Sequence, residues 1–201
     1  MKYIVGIDEV GRGPIAGPVA VCAFMTDIGR QQTLWWDFSM QNKLPLRDSK
    51  KLTKKQREKW LKFLKEEKAK GNCDFAVSLV SAEWIDKVGI VRAIQKALDS
   101  SLSKLNTNGQ LLEAMIYLDG GLKAPKEFIN QETIIKGDEL HPVISFASIV
   151  AKVSRDNLMS KYAKEYPEYG FENHVGYGTK AHYEAIKKHG QTSLHRKTFL
   201  N

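Results

Sequence analysis

Short runs of apolar and β-branched residues alternate along the chain with longer stretches whose apolar positions recur at helical spacing. The short runs predict strands at residues 3–7, 19–24, 75–80, 115–118 and 133–135. A segment rich in Gly and Pro joins the first two strands and predicts a hairpin, so these strands should be antiparallel. Helices alternate with the later strands, which favours parallel pairing there. The pattern therefore predicts an α/β layered fold with a mixed sheet.

Helical periodicity predicts the remaining regular structure. The predicted helices lie at residues 53–70, 81–105 (a short helix and then a longer one), 141–162 and 179–188. Thr53 begins the first of them, and Gln56 follows three residues later, as in a capping box. The polar residues 26–51 predict no element. Residues 167–178 are rich in Gly and aromatic side chains and predict a loop.

Composition excludes several classes of protein. Of the 201 residues, 42% are hydrophobic and 27% are charged, which is typical of a globular chain rather than a disordered one. Cys22 and Cys73 stand alone, so neither a disulfide scaffold nor a zinc site is expected. No apolar run is long enough to span a bilayer, and the first residues do not resemble a signal peptide. We therefore expect a cytoplasmic protein with reduced thiols.

Charge and large side chains add weaker signals. The formal net charge of +8 fits a polyanion such as nucleic acid, but many basic proteins bind none. Lys152 and Arg155 are interpreted either as contacts to such a partner or as a solvated helix face.

The five histidines are scattered, so we expect them at the surface or at helix caps rather than as ligands. Trp35, Trp36 and Trp84 are expected in the core or covering it.

Four carboxylates follow short apolar runs and adjoin or precede glycines: Asp8, Glu9, Asp119 and Asp138. Functional groups gather beyond the carboxyl ends of strands in α/β sheets, so these side chains could meet at one edge. Oxygen ligands suit Mg²⁺ or Mn²⁺, although acidic residues after strands also occur in ordinary turns and caps. Adjacent strand residues point to opposite faces, so Asp8 and Glu9 share a metal only if the strand ends or bends there.

A glycine-flanked arginine comes directly after the first two carboxylates. Gly11, Arg12 and Gly13 present backbone N–H groups without side-chain bulk, which suits an anion nest, although a simple hairpin turn has the same sequence. Lys50 precedes a predicted helix and is interpreted as a phosphate contact or as a solvated lysine. Tyr177 lies in the aromatic loop, where a ring can stack on a sugar or base or merely cover the fold.

Taken together, these residues resemble ribonuclease HII, the type 2 family of ribonuclease H enzymes, over nearly the whole chain. The strongest match is GIDEVGRGPIAGPV at residues 6–19. Further motifs follow in the family's order at residues 48–52, 119–120, 136–138, 147–156, 176–179 and 195–199. The sister family, ribonuclease HIII, typically has Gly-Lys-Gly at residues 11–13 and an extra N-terminal domain, so the chain is more similar to HII. Departures from the family pattern are Gly121, Phe146 and Thr198.

The resemblance implies a single RNase H-like domain over residues 1–201, with a catalytic core to about residue 154 and a helical, substrate-binding portion beyond it. It implies an endonuclease that cuts the RNA strand of RNA–DNA hybrids. It also implies incision 5′ of single ribonucleotides in duplex DNA, leaving 3′-hydroxyl and 5′-phosphate ends. The implied ligands of two Mg²⁺ or Mn²⁺ ions are Asp8, Glu9, Asp119 and Asp138. The implied substrate contacts are Gly11, Arg12, Gly13, Lys50 and Tyr177.

Two other functional hypotheses remain open on the sequence alone. One is a nucleic-acid-binding module without catalysis, but four carboxylates beside a phosphate path would repel DNA unless a cation lay between them. The other is a metal-dependent nuclease of the same fold that acts on DNA only. We further expect a monomer that binds hybrids and ribonucleotide-containing duplexes, contacts no membrane and has no sliding-clamp-binding tail.

Overall fold

The strands form one central sheet. The computed structural model describes residues 2–43, 49–107 and 109–200, without the side chains of Gln41 and Lys50. The strands of this part are β1 (Tyr3–Val10), β2 (Val19–Asp27), β3 (Cys73–Val80), β4 (Met115–Asp119) and β5 (Gln131–Ile134). Their order is β3-β2-β1-β4-β5. β2 pairs antiparallel with β1 and β3, whereas β4 pairs parallel with β1 and β5. The predicted mixed α/β sheet is confirmed.

Helices cover both faces of this sheet. They are α1 (Arg30–Asn42), α2 (Lys54–Ala69), α3 (Ala82–Val88), α4 (Ile90–Leu105), α5 (Gly137–Leu140), α6 (Pro142–Glu165), α7 (Phe171–His174) and α8 (Lys180–His189). Short 3₁₀ helices lie at Ser49–Lys51, Pro167–Tyr169 and Lys197–Phe199. None of the described helices is long and apolar enough to cross a membrane.

Alternation along β1 divides the core into two layers. Val5 and Ile7 face α4, whose apolar stripe packs on that side of the sheet. Ile4 faces the opposite side, where α2 and α6 pack. Helix α6 is buried around most of its circumference because it lies between the sheet and the flanking helices, and Phe146 packs against Phe24 and Trp60. The unusual phenylalanine at this position is therefore a filled core site.

The start of α2 follows the sequence prediction. The Thr53 hydroxyl accepts a hydrogen bond from the Gln56 N–H at 3.3 Å, and the Gln56 side chain accepts one from the Thr53 N–H at 2.8 Å. Two N–H groups that the helix leaves unpaired are thus satisfied reciprocally, and the predicted capping box is confirmed.

The polar segment before α2 contains a helix that the sequence pattern does not predict. Of the described side chains of helix α1, only Leu34 and Phe38 are deeply buried, so its apolar stripe is too narrow to stand out from the polar residues around it. Trp36 is 58% exposed and Trp84 is 40% exposed, so of the two expected placements, in the core or covering it, the core is excluded for both. Trp35 stacks edge-on against Trp36 at the same surface.

Two of the histidines lie in the interior, contrary to the expectation of surface or capping positions. His182 and His195 are buried between α8 and the C-terminal segment. His182 Nδ1 lies 2.8 Å from the Tyr177 carbonyl oxygen, so this nitrogen must carry the proton. His195 Nδ1 accepts from the Thr192 N–H at 2.9 Å, so His195 Nε2 donates to His182 Nε2 at 3.2 Å. Each ring is therefore neutral, with both nitrogens paired.

We expect Gly6→Ala to lower the free energy of unfolding by about 2 kcal/mol or more. A Cβ at Gly6 would lie 2.2 Å from the Val143 carbonyl carbon, so α6 would have to move away from β1. Gly29→Ala is the matched control, because its φ of −70° suits alanine and the nearest atom to its Cβ is 3.7 Å away. Urea unfolding of both variants tests this, and equal stabilities would contradict the close approach.

Burial lowers the pKa of His182 to about 4, and it also lowers the pKa of His195. An unfolded histidine titrates near 6.5, so the unfolded chain binds more protons between these values. The contribution of the neutral, buried rings to the free energy of unfolding is therefore fully present above about pH 6.5. It decreases as the pH falls toward 4, with a slope of at most about 1.4 kcal/mol per pH unit for one proton. His182→Asn should reduce this slope, measured by urea unfolding at several pH values. The exposed His189→Asn should leave the slope unchanged, and a wild-type slope in His182→Asn would refute the assignment.

Candidate metal centre and nucleic-acid interface

The carboxylates come together because β1 and β4 run in parallel. Ile7 pairs with Leu118, so the next residues, Asp8 and Asp119, emerge side by side at the same edge of the sheet. Side chains alternate along both strands, and Ile7 and Leu118 belong to the layer under α4. Asp8 and Asp119 therefore project to the opposite face, on which α6 packs.

Three carboxylates form the close cluster. Ligand oxygens of Asp8, Glu9 and Asp119 lie within 4.8 Å of one another. β1 does not end after residue 7 as predicted, because the strand continues to Val10. The Asp8 carboxylate instead folds back along the strand and accepts from the Glu9 N–H at 2.7 Å. The longer Glu9 side chain can then reach the same point from the other face.

Asp138 lies close to this cluster but outside its innermost group. It is buried in the first turn of α5, at the end of the segment that leaves β5. The neighbouring Gly137 N–H donates to Asp119 Oδ1 at 2.7 Å, which ties α5 to the end of β4. The negative charge of Asp138 raises the pKa of Asp8, although less than burial does. The four predicted carboxylates thus belong to one electrostatic site.

The cluster needs compensating positive charge. Burial, and then the charges of Glu9, Asp119 and Asp138, raise the pKa of Asp8 well above its ordinary value, and a hydrogen bond with Ser148 opposes this. Two unit charges about 5 Å apart repel by about 3 kcal/mol at an effective dielectric constant of about 20. An oxygen-only donor set of this density fits a hard divalent cation such as Mg²⁺ or Mn²⁺.

A hydrogen-bonded chain behind Asp8 includes residues that sequence reasoning did not assign to the site. Ser148 Oγ and Ser49 Oγ form a hydrogen bond at 2.8 Å, and the Ser49 carbonyl accepts from Arg57 Nη1 at 2.9 Å. Arg57 also lies 3.7 Å from Asp156, which accepts from Lys152 at 2.9 Å. The sequence does contain a signal for Ser148, because a hydroxyl on the buried face of a helix requires a hydrogen-bond partner.

A cavity of about 550 Å³ connects the cluster to the Gly-rich turn. Its lining residues are Asp8, Glu9, Val10, Gly11, Arg12, Gly13, Ser49, Arg57, Ser148, Lys152 and Tyr177. The carboxylates of Asp8 and Glu9 line one part of the cavity, and exposed backbone and an aromatic ring line another. Lys152 and Arg57 add positive charge to the same wall, so the cavity combines the groups that would hold a cation with groups that would contact a phosphate.

The two glycines of the turn have different roles. Gly11 has a φ of 90°, and a Cβ there would lie 2.3 Å from Arg155 Nε, so the fold itself requires glycine. Gly13 has no such requirement, because its Cβ would lie 3.8 Å from the Tyr177 ring, which is ordinary contact. The open space beside Gly13 therefore faces the cavity. Tyr177 is 44% exposed and forms the opposite side of this space.

Two arginines fix the path of residues 11–18 from behind. Arg155 is fully buried, which corrects both interpretations of it as a nucleic-acid contact or a solvated side chain. Its guanidinium donates to the carbonyls of Pro18 and Val175, each at 2.8 Å, and to that of Ala16 at 3.2 Å. Arg196, which sequence reasoning left without a role, is equally buried and bonds to three further carbonyls.

The other predicted substrate residues differ in how the structure places them. The Arg12 side chain is exposed, and its Nη1 lies 3.7 Å from Glu9 Oε1. The side chain of Lys50 lies outside the described residues, so its contact with phosphate stays a prediction. Thr198 donates from its hydroxyl to Asp86 at 2.6 Å, which explains why a hydroxyl is needed at this departure from the family pattern.

Comparison with known proteins agrees with this arrangement. A family model described as Ribonuclease HII matches residues 5–201. A Ribonuclease HII of Endomicrobium trichonymphae is 43% identical over 197 residues, which cover 98% of this chain and 84% of that protein. Among solved structures, the PCNA:RNase HII complex from Archaeoglobus fulgidus matches with a TM-score of 0.71 and 23% identity, covering 97% of this chain and 94% of that one.

A second solved structure has the same fold. Bst-RNase HIII in complex with Mn²⁺ matches with a TM-score of 0.71 and 17% identity, covering 98% of this chain and 67% of that one. At such identities the two structures establish the shared RNase H-like fold, whereas the family follows from the sequence matches. The chain therefore belongs to the ribonuclease HII family of metal-dependent endoribonucleases, which cut the RNA strand of RNA–DNA hybrids.

Proposed function

We propose that this protein also incises duplex DNA on the 5′ side of a single embedded ribonucleotide, leaving 3′-hydroxyl and 5′-phosphate ends. The observation that carries the proposal is the cavity that joins the carboxylate cluster to the turn at residues 11–13. A phosphate at the cluster and the adjacent sugar at the turn would occupy this one cavity. The duplex would lie along the outer side of the cavity, and the net charge of +8 over the whole chain favours a polyanion.

Asp8, Glu9, Asp119 and Asp138 are proposed to hold two divalent ions, Mg²⁺ or Mn²⁺. Ions bound there supply Lewis-acid stabilisation of the charge that develops on the phosphate. The hydrogen bond from Gly137 fixes the Asp119 carboxylate, and the hydrogen bond with Ser148 orients Asp8. These two side chains are thus held in place before substrate binds, which lowers the cost of assembling the site.

Gly11, Arg12, Gly13 and Tyr177 are proposed to sense the ribonucleotide. Only the 2′-hydroxyl distinguishes RNA from DNA at a single site, and it is both a donor and an acceptor. Backbone groups at Gly13 can approach it closely because no side chain intervenes. The Tyr177 ring would pack against the same sugar from the other side of the cavity, and Lys50 would contact a phosphate.

The surrounding chain is proposed to act as one enzyme in a single copy. Residues from about 155 onward would close over the duplex, because α8 and the C-terminal segment hold the loop that carries Tyr177. The buried, free thiols of Cys22 and Cys73 fit a cytoplasmic location.

Asp119→Asn tests the metal site. The substitution keeps the side-chain oxygen that accepts from Gly137 but removes the charge, so the fold should persist while cleavage of a duplex with one ribonucleotide falls by at least about 100-fold. The matched control is Asp99→Asn, because Asp99 is exposed on α4 and bonds only locally to Gln95. Cleavage is mapped on a gel with Mg²⁺, with Mn²⁺ and with excess chelator. Unchanged cutting by Asp119→Asn, or cutting in the presence of chelator, would contradict the assignment of Asp119 to a metal site.

Gly13→Ala tests sugar recognition separately from folding. Since a Cβ there makes only ordinary contact within the protein, the melting temperature should stay close to that of the wild type. Cleavage at the ribonucleotide should fall by about tenfold or more, because the methyl group occupies the space that the sugar needs. Gly11→Ala should instead lower the melting temperature. An all-DNA duplex is the substrate control, and cutting it as fast as the ribonucleotide-containing duplex would leave a DNA nuclease as the better description.

A further inference from the structure

Arg196 holds the peptide groups of the proposed sugar-sensing turn. Its Nη2 donates to the Gly11 carbonyl at 2.7 Å, its Nη1 to the Arg12 carbonyl at 3.0 Å and its Nε to the Gly17 carbonyl at 2.9 Å. The side chain is fully buried, and its guanidinium lies 5.1 Å from the centre of the Phe199 ring. Its fork geometry, fixed by packing, therefore determines where these carbonyls point.

The orientation of the carbonyls determines the orientation of the N–H groups. In a trans peptide the C=O and the following N–H point in opposite directions, so the Gly11 carbonyl opposes the Arg12 N–H and the Arg12 carbonyl opposes the Gly13 N–H. With both carbonyls turned inward to Arg196, both N–H groups turn outward. Within the described part of the chain, neither N–H donates to a protein acceptor, and both residues are exposed beside the cavity.

We propose that Arg196 is a positioning residue for ribonucleotide recognition, because its guanidinium holds the Gly11 and Arg12 carbonyls inward and thereby aims the Arg12 and Gly13 N–H groups at the 2′-hydroxyl. The proposal rests on the proposed function, and it adds a residue that touches neither substrate nor metal. Charge-assisted bonds to the carbonyls also polarise the two peptides, which makes their outward N–H groups stronger donors. Removing the carbonyl oxygens from the cavity wall eliminates two groups that would repel an incoming phosphate.

Arg155 provides a matched comparison inside the same molecule. It is as deeply buried as Arg196, and it also bonds to three carbonyls. None of those carbonyls belongs to Gly11 or Arg12, so Arg155 supports the loop without setting the two peptides of the turn. Replacing either arginine by lysine keeps the charge and loses the fork, so both variants carry a structural cost, but only Arg196→Lys removes hydrogen bonds to the Gly11 and Arg12 carbonyls.

The test measures the binding preference for a ribonucleotide-containing duplex over an all-DNA duplex, and not the rate of cleavage. In the Asp119→Asn background, with Mg²⁺ present, dissociation constants are measured by fluorescence anisotropy for two duplexes that differ in one 2′-hydroxyl. We expect the preference for the ribonucleotide duplex to fall by about tenfold in Arg196→Lys, which corresponds to misaligned hydrogen bonds to one hydroxyl. Arg155→Lys should retain the preference within about twofold, even where its melting temperature falls by a similar amount.

The outcomes separate this proposal from the one on which it rests. If the parent shows no preference between the duplexes, sugar sensing by the turn fails. If the parent shows a preference that Arg196→Lys keeps, or that both lysine variants lose equally, the positioning role of Arg196 fails. If Arg196→Lys does not fold, Arg196→Gln, which keeps a side-chain amide donor but loses the fork, is measured in its place, and amide hydrogen exchange of the parent tests the turn itself. The Arg12 and Gly13 N–H groups must exchange fast in the free protein and slow down with the ribonucleotide duplex but not with the all-DNA duplex.

Discussion

The guanidinium groups of Arg155 and Arg196 are buried, and within the described part of the chain they donate to backbone carbonyl oxygens. Burying an ion costs several kcal/mol, and a hydrogen bond to a charged group returns about 1.5–3 kcal/mol. Arg155 and Arg196 each make three such bonds, and five of the six acceptors lie between residues 11 and 18. The loop must keep its conformation, because any other would leave a buried charge unsatisfied. Since Arg155 belongs to α6 and Arg196 to the C-terminal segment, the same bonds join α6 and the C-terminal segment to the connection of the first hairpin.

The part of the site that follows from the sheet could be predicted from the sequence. Strand runs and period-two alternation place Asp8 and Asp119 at one edge, because neighbouring parallel strands end together. The contact between Asp8 and Glu9 could not be predicted in the same way. It depends on the Asp8 carboxylate folding back onto the Glu9 N–H, which is a side-chain conformation and not a property of the strand period. The strand was therefore expected to end where it in fact continues.

The interior polar groups could not be predicted, for a common physical reason. Arginine and histidine are mostly exposed, so a sequence interpretation assigns them to the surface unless a partner is visible nearby. Arg155 finds its partners 137 and 139 residues away, and His182 pairs with a histidine 13 residues later. Trp36 is the converse case, because this large side chain is 58% exposed while α1 buries its other face. Propensity describes an average environment, whereas these positions are decided by long-range packing.

Chain connectivity limits the distance between metal chemistry and sugar recognition in the proposed function. Asp8 and Glu9 lie near the end of β1, which stays paired with β2 as far as Val10, and Gly11 and Gly13 follow within five residues of Asp8. An extended chain spans about 3.4 Å per residue, so this separation is at most about 17 Å. β1 is held rigidly by two neighbouring strands, and the turn is held by Arg196, so neither end can drift. The distance between the sugar that the turn senses and the phosphate that is cut is then constant. A constant distance is the condition for incision on one defined side of a ribonucleotide.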